Sequence, residues 1–168
     1  MYCNNVHPFC AALCLAVITL AAGCSEDQPA AQTNAESAPA RESIWTEDFE
    51  AAKAQAESQN LPILIKFTGS DWCPPCIAME RDVFNTAEFQ EYAETHVVMM
   101  KADFPRSREI PGAIASQNEQ LAERFGVEAF PTMVLLSSDG QELAREVGYV
   151  NGGPAAMQNW VERHRTSQ

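Results

Sequence analysis

Hydrophobic and polar positions divide the chain into three stretches. Phe9 to Ala22 (FCAALCLAVITLAA) is one apolar run without a charge, and Ser25 to Ser43 carries no large apolar residue. From Ile44 onward helix-like and strand-like patterns alternate. Thr46 followed by Glu47 and Asp48 predicts an N-cap with acids in the first turn. The helix it opens runs to about Ser58, with Phe49, Ala52 and Ala56 on one face. Pro62 to Phe67 (PILIKF) is a nearly continuous apolar run, as expected of a central strand covered on both faces. The loop Thr68 to Trp72 leads into Cys73-Pro74-Pro75-Cys76 and a helix predicted to reach Phe84. Val97 to Ala102 reads as a strand, and Glu119 to Phe125 as the end of a helix with Gly126 as its cap. Thr132 to Leu136 predicts a strand, Ser138-Asp139-Gly140 a turn, and Glu142 to Val150 a partner strand. Pro154 suits the first turn of a final helix ending near His164. Early alternation of helix and strand, then a hairpin and a helix, predicts an α/β three-layer domain.

Length and charge narrow the function classes. The 168 residues suffice for one domain with a core and are too few for two ordinary ones. Asp and Glu number 23 against 11 Lys and Arg, a net charge of -12, which repels phosphate backbones and argues against a nucleic-acid partner. The acids are spread along the chain, as on a solvated surface.

The apolar run is shorter than the roughly twenty residues of a membrane span and has the length of a signal-peptide core. It ends in Leu20-Ala21-Ala22-Gly23-Cys24, and small residues directly before a cysteine resemble the lipobox of bacterial lipoproteins. That resemblance implies a leader over residues 1–23, with lipid on Cys24 as the first residue of the mature chain. Ala21 stands where the lipobox usually has Leu, and the start MYCNNVHP has no Lys or Arg. An ordinary secretory signal and an uncleaved anchor are the alternatives. Residues 24–43 then read as a disordered tether, because nothing in them offsets the cost of ordering their backbone.

Cysteine usage follows this division. Of six cysteines, Cys3, Cys10 and Cys14 leave with the leader and lipid takes Cys24, so Cys73 and Cys76 remain as a local pair. Prolines fit a first helical turn, where the N–H they lack has no intrahelical partner. Cys73 would therefore stand at a helix start, where a thiol pKa of about 8.5 falls to roughly 3.5–7.5. The outer cysteine becomes the nucleophile and Cys76, one turn on, resolves the mixed disulfide. Pro75 removes one N–H that could have pointed at the sulfur.

Trp72-Cys73-Pro74-Pro75-Cys76, after Leu64-Ile65-Lys66-Phe67, resembles the active-site segment of the thioredoxin superfamily, in the form found in tryparedoxins and nucleoredoxins. Gly126-Val127-Glu128-Ala129-Phe130-Pro131-Thr132 is similar to that family's cis-proline loop. Phe67 to Cys73 and Gly148 to Gly153 resemble exported bacterial thioredoxin-like proteins. The resemblance covers about Ile44 to Arg165, within a domain taken as residues 44–168. It implies a thioredoxin-like fold, a central mixed sheet with helices on both faces. It also implies that Pro131 is cis, that Phe130 offers its backbone to a substrate peptide, and that Trp72 shapes the rim. Thioredoxins usually carry a buried acid where this chain has Lys66, so the family's proton-acceptor role does not transfer. Lys66 either snorkels to the surface or puts a cation near the pair, neutralised by Glu80.

The expected function is thiol–disulfide exchange on protein disulfides, as a reductase rather than an oxidase, with a redox partner protein and no cofactor beyond the dithiol. The expected location is outside the cytoplasm, facing the periplasm, lipid-anchored at Cys24 to a bacterial membrane, the outer membrane by preference. A reductase dedicated to cytochrome c maturation and a non-catalytic binding or metal-carrier module are the rivals. No metal site is expected. His7, His96 and His164 lack ligand spacing, Met79, Met99, Met100 and Met133 read as core, and a closed zinc site needs four ligands where the pair supplies two. Arg106 and Arg108 read as solvated side chains of a Pro-flanked loop.

Overall fold

The computed structural model describes residues 43–165. Cys24, the leader and all but the end of the tether lie outside the described residues. A five-stranded mixed sheet has the order β1-β3-β2-β4-β5. Its strands are β1 (Trp45–Thr46), β2 (Ile63–Thr68), β3 (Val98–Asp103), β4 (Thr132–Leu136) and β5 (Glu142–Val147). β3 runs parallel to β1 and β2, whereas β4 is antiparallel to β2 and β5. β2 and β4 are buried along their whole length, which is why they read as nearly continuous apolar runs rather than alternating ones.

Period-two alternation along these strands sorts their side chains onto two faces. Ile63, Ile65 and Phe67 join Phe49, Ala52 and Ala56 of α1 (Phe49–Gln59) and Leu121 of α4 (Gly112–Arg124) in one core. Leu64 and Met133 face the other way, against α2 (Pro74–Met79), α3 (Ala87–His96) and α5 (Gly153–Arg165). Met79, Met99, Met100 and Met133 are all buried in these cores. The three layers and the mixed sheet match the expected thioredoxin-like architecture. Among the described residues, no helix is long and apolar enough to cross a membrane.

Several boundaries differ from the sequence reading. Thr46 is not the cap of α1 but the last residue of β1, opposite Met100. Asp48 caps instead, its carboxylate accepting from the Ala51 N–H at 3.0 Å, while the Thr46 hydroxyl accepts from the Asp48 N–H. The helix predicted to run from the cysteine pair to Phe84 changes character midway. After Met79 one π-helical turn covers Glu80–Phe84, with the Asn85 N–H donating to the Glu80 carbonyl. The wider turn places Val83 and Phe84 side by side in the core. Helix α3 has no counterpart in the sequence reading; Thr86 caps it by accepting from the Phe89 N–H. Strand β5 stops at Val147 rather than Val150 because Gly148 takes φ 91°, outside the strand region. Gly126 does end α4 as expected, with φ 57°.

Candidate redox site

The sheet delivers the cysteine pair at the end of its central strand. β2 ends at Thr68, the chain turns through Gly69 to Trp72, and Cys73 caps α2 in extended conformation. The Cys73 N–H donates to the Gly69 carbonyl at 2.9 Å, fixing the turn. An N-cap side chain is served by the second or third N–H of its helix. The second belongs to Pro75 and does not exist, so the Cys76 N–H is the donor left for Cys73. Cys73 and Cys76 form a disulfide, and both are nearly inaccessible, at 4% and 2% exposure.

The cis-proline loop meets the residue that precedes Cys73. The Phe130–Pro131 bond is cis. Pro131 is buried and its carbonyl accepts from the Gly148 N–H at 2.8 Å. The Phe130 N–H and C=O take part in no hydrogen bond among the described residues. Trp72, next to Cys73, meets the Phe130 ring edge-on at 6.0 Å, and Phe104 stacks on Phe130 at 5.0 Å. The Trp72 indole N–H donates to the Phe104 carbonyl at 2.7 Å. Trp72 beside Cys73, Phe130 beside the cis-proline, and Phe104 therefore form one aromatic rim.

Lys66 departs from the snorkelling alternative. It is 2% exposed, on the face of β2 that it shares with Leu64, and its ammonium pairs with the Glu80 carboxylate. The Trp45 and Phe84 rings lie 4.2 and 4.7 Å from that nitrogen. The ammonium is thus held inside the fold rather than at the surface. Burial pushes the Lys66 ammonium below its ordinary value, and Glu80 opposes that shift. Lys66, Glu80 and Cys76 line one cavity of about 160 Å³, together with Thr68, Ser70, Ile77 and Lys101. Lys66 thus sits on the side of Cys76. Lys101, its cross-strand neighbour, is neutralised separately by Glu47 at 3.1 Å.

Asp71 and Asp103 escaped the sequence reading, and Arg106 and Arg108 depart from the solvated role it gave them. Asp103 is buried at the end of β3, where it accepts from the Ser70 N–H at 3.0 Å and the Ser70 hydroxyl at 2.6 Å, and pairs with Arg108. Asp71 accepts from the backbone N–H groups of Arg106 and Ser107 and from the Ser107 hydroxyl. These donors hold the Asp71 carboxyl down at about 2, so the clamp is intact above the ordinary aspartate range and is lost as the pH falls through about 2. Arg106 is not merely solvated, because its guanidinium stacks 3.5 Å from the centre of the Trp72 ring. Arg108 is likewise tied down. Only the short Ser-Asp step before Trp72 hinted at such anchoring. His96 and His164 bond to the carbonyls of Tyr92 and Trp160 on their own helices, and no metal-binding cluster occurs among the described residues.

Comparison with known proteins agrees with this geometry. The family model of a thioredoxin-like domain matches residues 49–164. The disulfide bond reductase DsbH of Chlamydia pneumoniae is 34% identical over 116 residues, covering 69% of each chain. The thioredoxin-related protein DsbJ of Chlamydia pneumoniae is 29% identical over 102 residues, 61% of this chain and 29% of that one. A solved structure described as DsbH oxidoreductase superposes with a TM-score of 0.68 at 31% identity, covering 74% of this chain and 85% of the other.

Gly69 tests the rim. A Cβ there would lie 2.4 Å from the Trp72 ring, so Gly69→Ala must tilt the indole. Overpacking of this kind costs about 1–3 kcal/mol. The Trp72 indole N–H resonance should shift and exchange faster with water, while those of Trp45 and Trp160 stay in place. An unmoved Trp72 resonance would contradict the close packing.

Proposed function

The chain belongs to the thioredoxin-like family of thiol:disulfide oxidoreductases, and from that premise we propose that it is a protein-disulfide reductase working outside the cytoplasm. The observation that carries this reading is the Cys73–Cys76 disulfide at the β2–α2 junction, beside a rim where Phe130 leaves its backbone unpaired next to cis-Pro131. A substrate strand pairs with that backbone while its disulfide meets Cys73. The direction draws support from the relative named a disulfide bond reductase.

The exchange balances as two displacements. The Cys73 thiolate attacks one sulfur of the substrate disulfide, forming a mixed disulfide and expelling the other substrate sulfur, which takes up a proton. Cys76 then loses its proton and attacks the Cys73 sulfur, releasing the second substrate thiolate. The substrate gains two electrons and the pair becomes the disulfide seen here. A dithiol partner protein returns the two electrons. In place of the family's strand acid, Glu80, held by Lys66 in the cavity shared with Cys76, is the group that receives the Cys76 proton.

Insulin reduction with dithiothreitol tests the activity. The protein should accelerate precipitation of the insulin B chain, and Cys73→Ser should abolish the effect; no acceleration would leave a non-catalytic binding module. In the reduced protein, iodoacetamide at about pH 6.5 should label Cys73 well ahead of Cys76, and equal rates would refute the assigned roles.

Lys66→Met separates electrostatics from packing. The substitution keeps the stem, deletes the cation and leaves Glu80 unbalanced beside the pair. Thiolate formation then becomes harder, so the Cys73 pKa should rise and the dithiol should oxidise more readily; each pKa unit corresponds to about 1.36 kcal/mol. Thiolate absorbance unchanged across the pH range would remove Lys66 from the chemistry.

We place the domain on a membrane surface through lipid on Cys24, after removal of residues 1–23, with residues 24–43 as tether. A single acyl chain binds bilayers only marginally and two or more hold firmly. Cys24→Ser should move the protein into the soluble fraction or block its maturation. A Cys24→Ser protein still wholly in the membrane fraction would favour an uncleaved anchor.

A further inference from the structure

We propose that Arg106 is a specificity-determining residue, selecting substrate disulfides flanked by a carboxylate side chain. The proposal rests on the reading of Cys73 and Cys76 as a protein-disulfide reductase, and deepens it by naming a substrate class.

The chain is strongly acidic, and its cations are mostly spent on its own acids. Lys66, Lys101, Arg81, Arg108 and Arg145 each meet a carboxylate. Arg106 meets none among the described residues. Arg106 is exposed, and its guanidinium carbon lies over the Trp72 ring, 3.5 Å from the ring centre. A stacked guanidinium uses its face for the ring and keeps its N–H donors in plane, free for a bidentate carboxylate. Those donors sit one residue from Cys73, over the ring that also touches Phe130.

The placement is built rather than incidental. Both Asp71 oxygens are engaged by the N–H groups of Arg106 and Ser107 and by the Ser107 hydroxyl. Asp71 therefore anchors the loop backbone and leaves the Arg106 side chain unpaired. Phe104, two residues earlier, is fixed by the Trp72 indole and the Phe130 ring. Arg108, two residues later, is tied to buried Asp103. A side chain whose backbone is pinned on both sides loses less freedom on binding, so more of its contact energy appears as selectivity.

The test uses two disulfide peptides, identical except for Glu or Gln beside the cysteine that Cys73 attacks. With dithiothreitol as electron source, kcat/KM should favour the Glu peptide by about fivefold, the upper range for a partly exposed ion pair. Arg106→Met should bring the ratio to about one, and Arg106→Lys, which keeps the charge without the planar fork, should fall between. Lys53→Met removes a cation from α1 and should leave the ratio as it was. Equal rates in the unaltered protein, a preference that survives Arg106→Met, or a loss matched by Lys53→Met would each overturn the proposal. If insulin too is not reduced, the reductase reading itself has failed and the proposal falls with it.

Discussion

The site depends on one buried carboxylate. Asp103 closes β3 with 2% exposure, and an ion so placed must have its oxygens satisfied. Ser70 satisfies it from the turn that leads to the cysteines, and Arg108 from the loop that follows β3. The buried Asn118 amide donates to the Asp103 carbonyl at 3.0 Å, tying α4 to the same point. Two segments far apart in sequence are thereby held at one end of the sheet. The aromatic rim forms where they meet. Removing the carboxylate would leave Ser70 and Arg108 without an anchor, and both segments would lose their common reference.

The parts of this protein legible from sequence are those set by local chemistry. Strand β4 is visible as Thr132 to Leu136 because full burial demands an unbroken apolar run. The cysteine pair and Phe130-Pro131 are visible because their spacing and company are restrictive. Helix α3 is harder to see, since its AEFQEYAETH segment buries only Phe89 and Ala93 and shows a thin apolar stripe. Strand β1 is two residues long, and its pairing with β3 is a tertiary fact that no local pattern encodes. The same holds for Arg106. Its stacking on Trp72 spans 34 positions of chain and depends on Asp71 folding back onto the loop backbone.

Lys66 shows how a sequence can break a rule of its family and still bury the position. A lone ammonium in that core would be costly. Here the cost is met by Glu80 from the following helix and by two ring faces, and the π-turn begins at Glu80 itself. The lysine keeps the strand position, and the acid moves to the helix. A buried cation thus stands on the strand, and the acid that balances it comes from Glu80 at the C-cap of α2.

The near-complete burial of both sulfurs has a consequence for electron economy. A disulfide at 4% and 2% exposure presents almost no area to a thiol arriving at random. Attack requires an in-line approach along the sulfur–sulfur axis, and under the proposed function a chain laid against the Phe130 backbone and the Trp72 edge brings a sulfur into that line. Small thiols lack such a chain, so on the proposed reading they reach the pair more slowly than a docked protein does and act only in excess, as dithiothreitol does in the insulin assay. The fold thus sets the rate of exchange separately from its driving force.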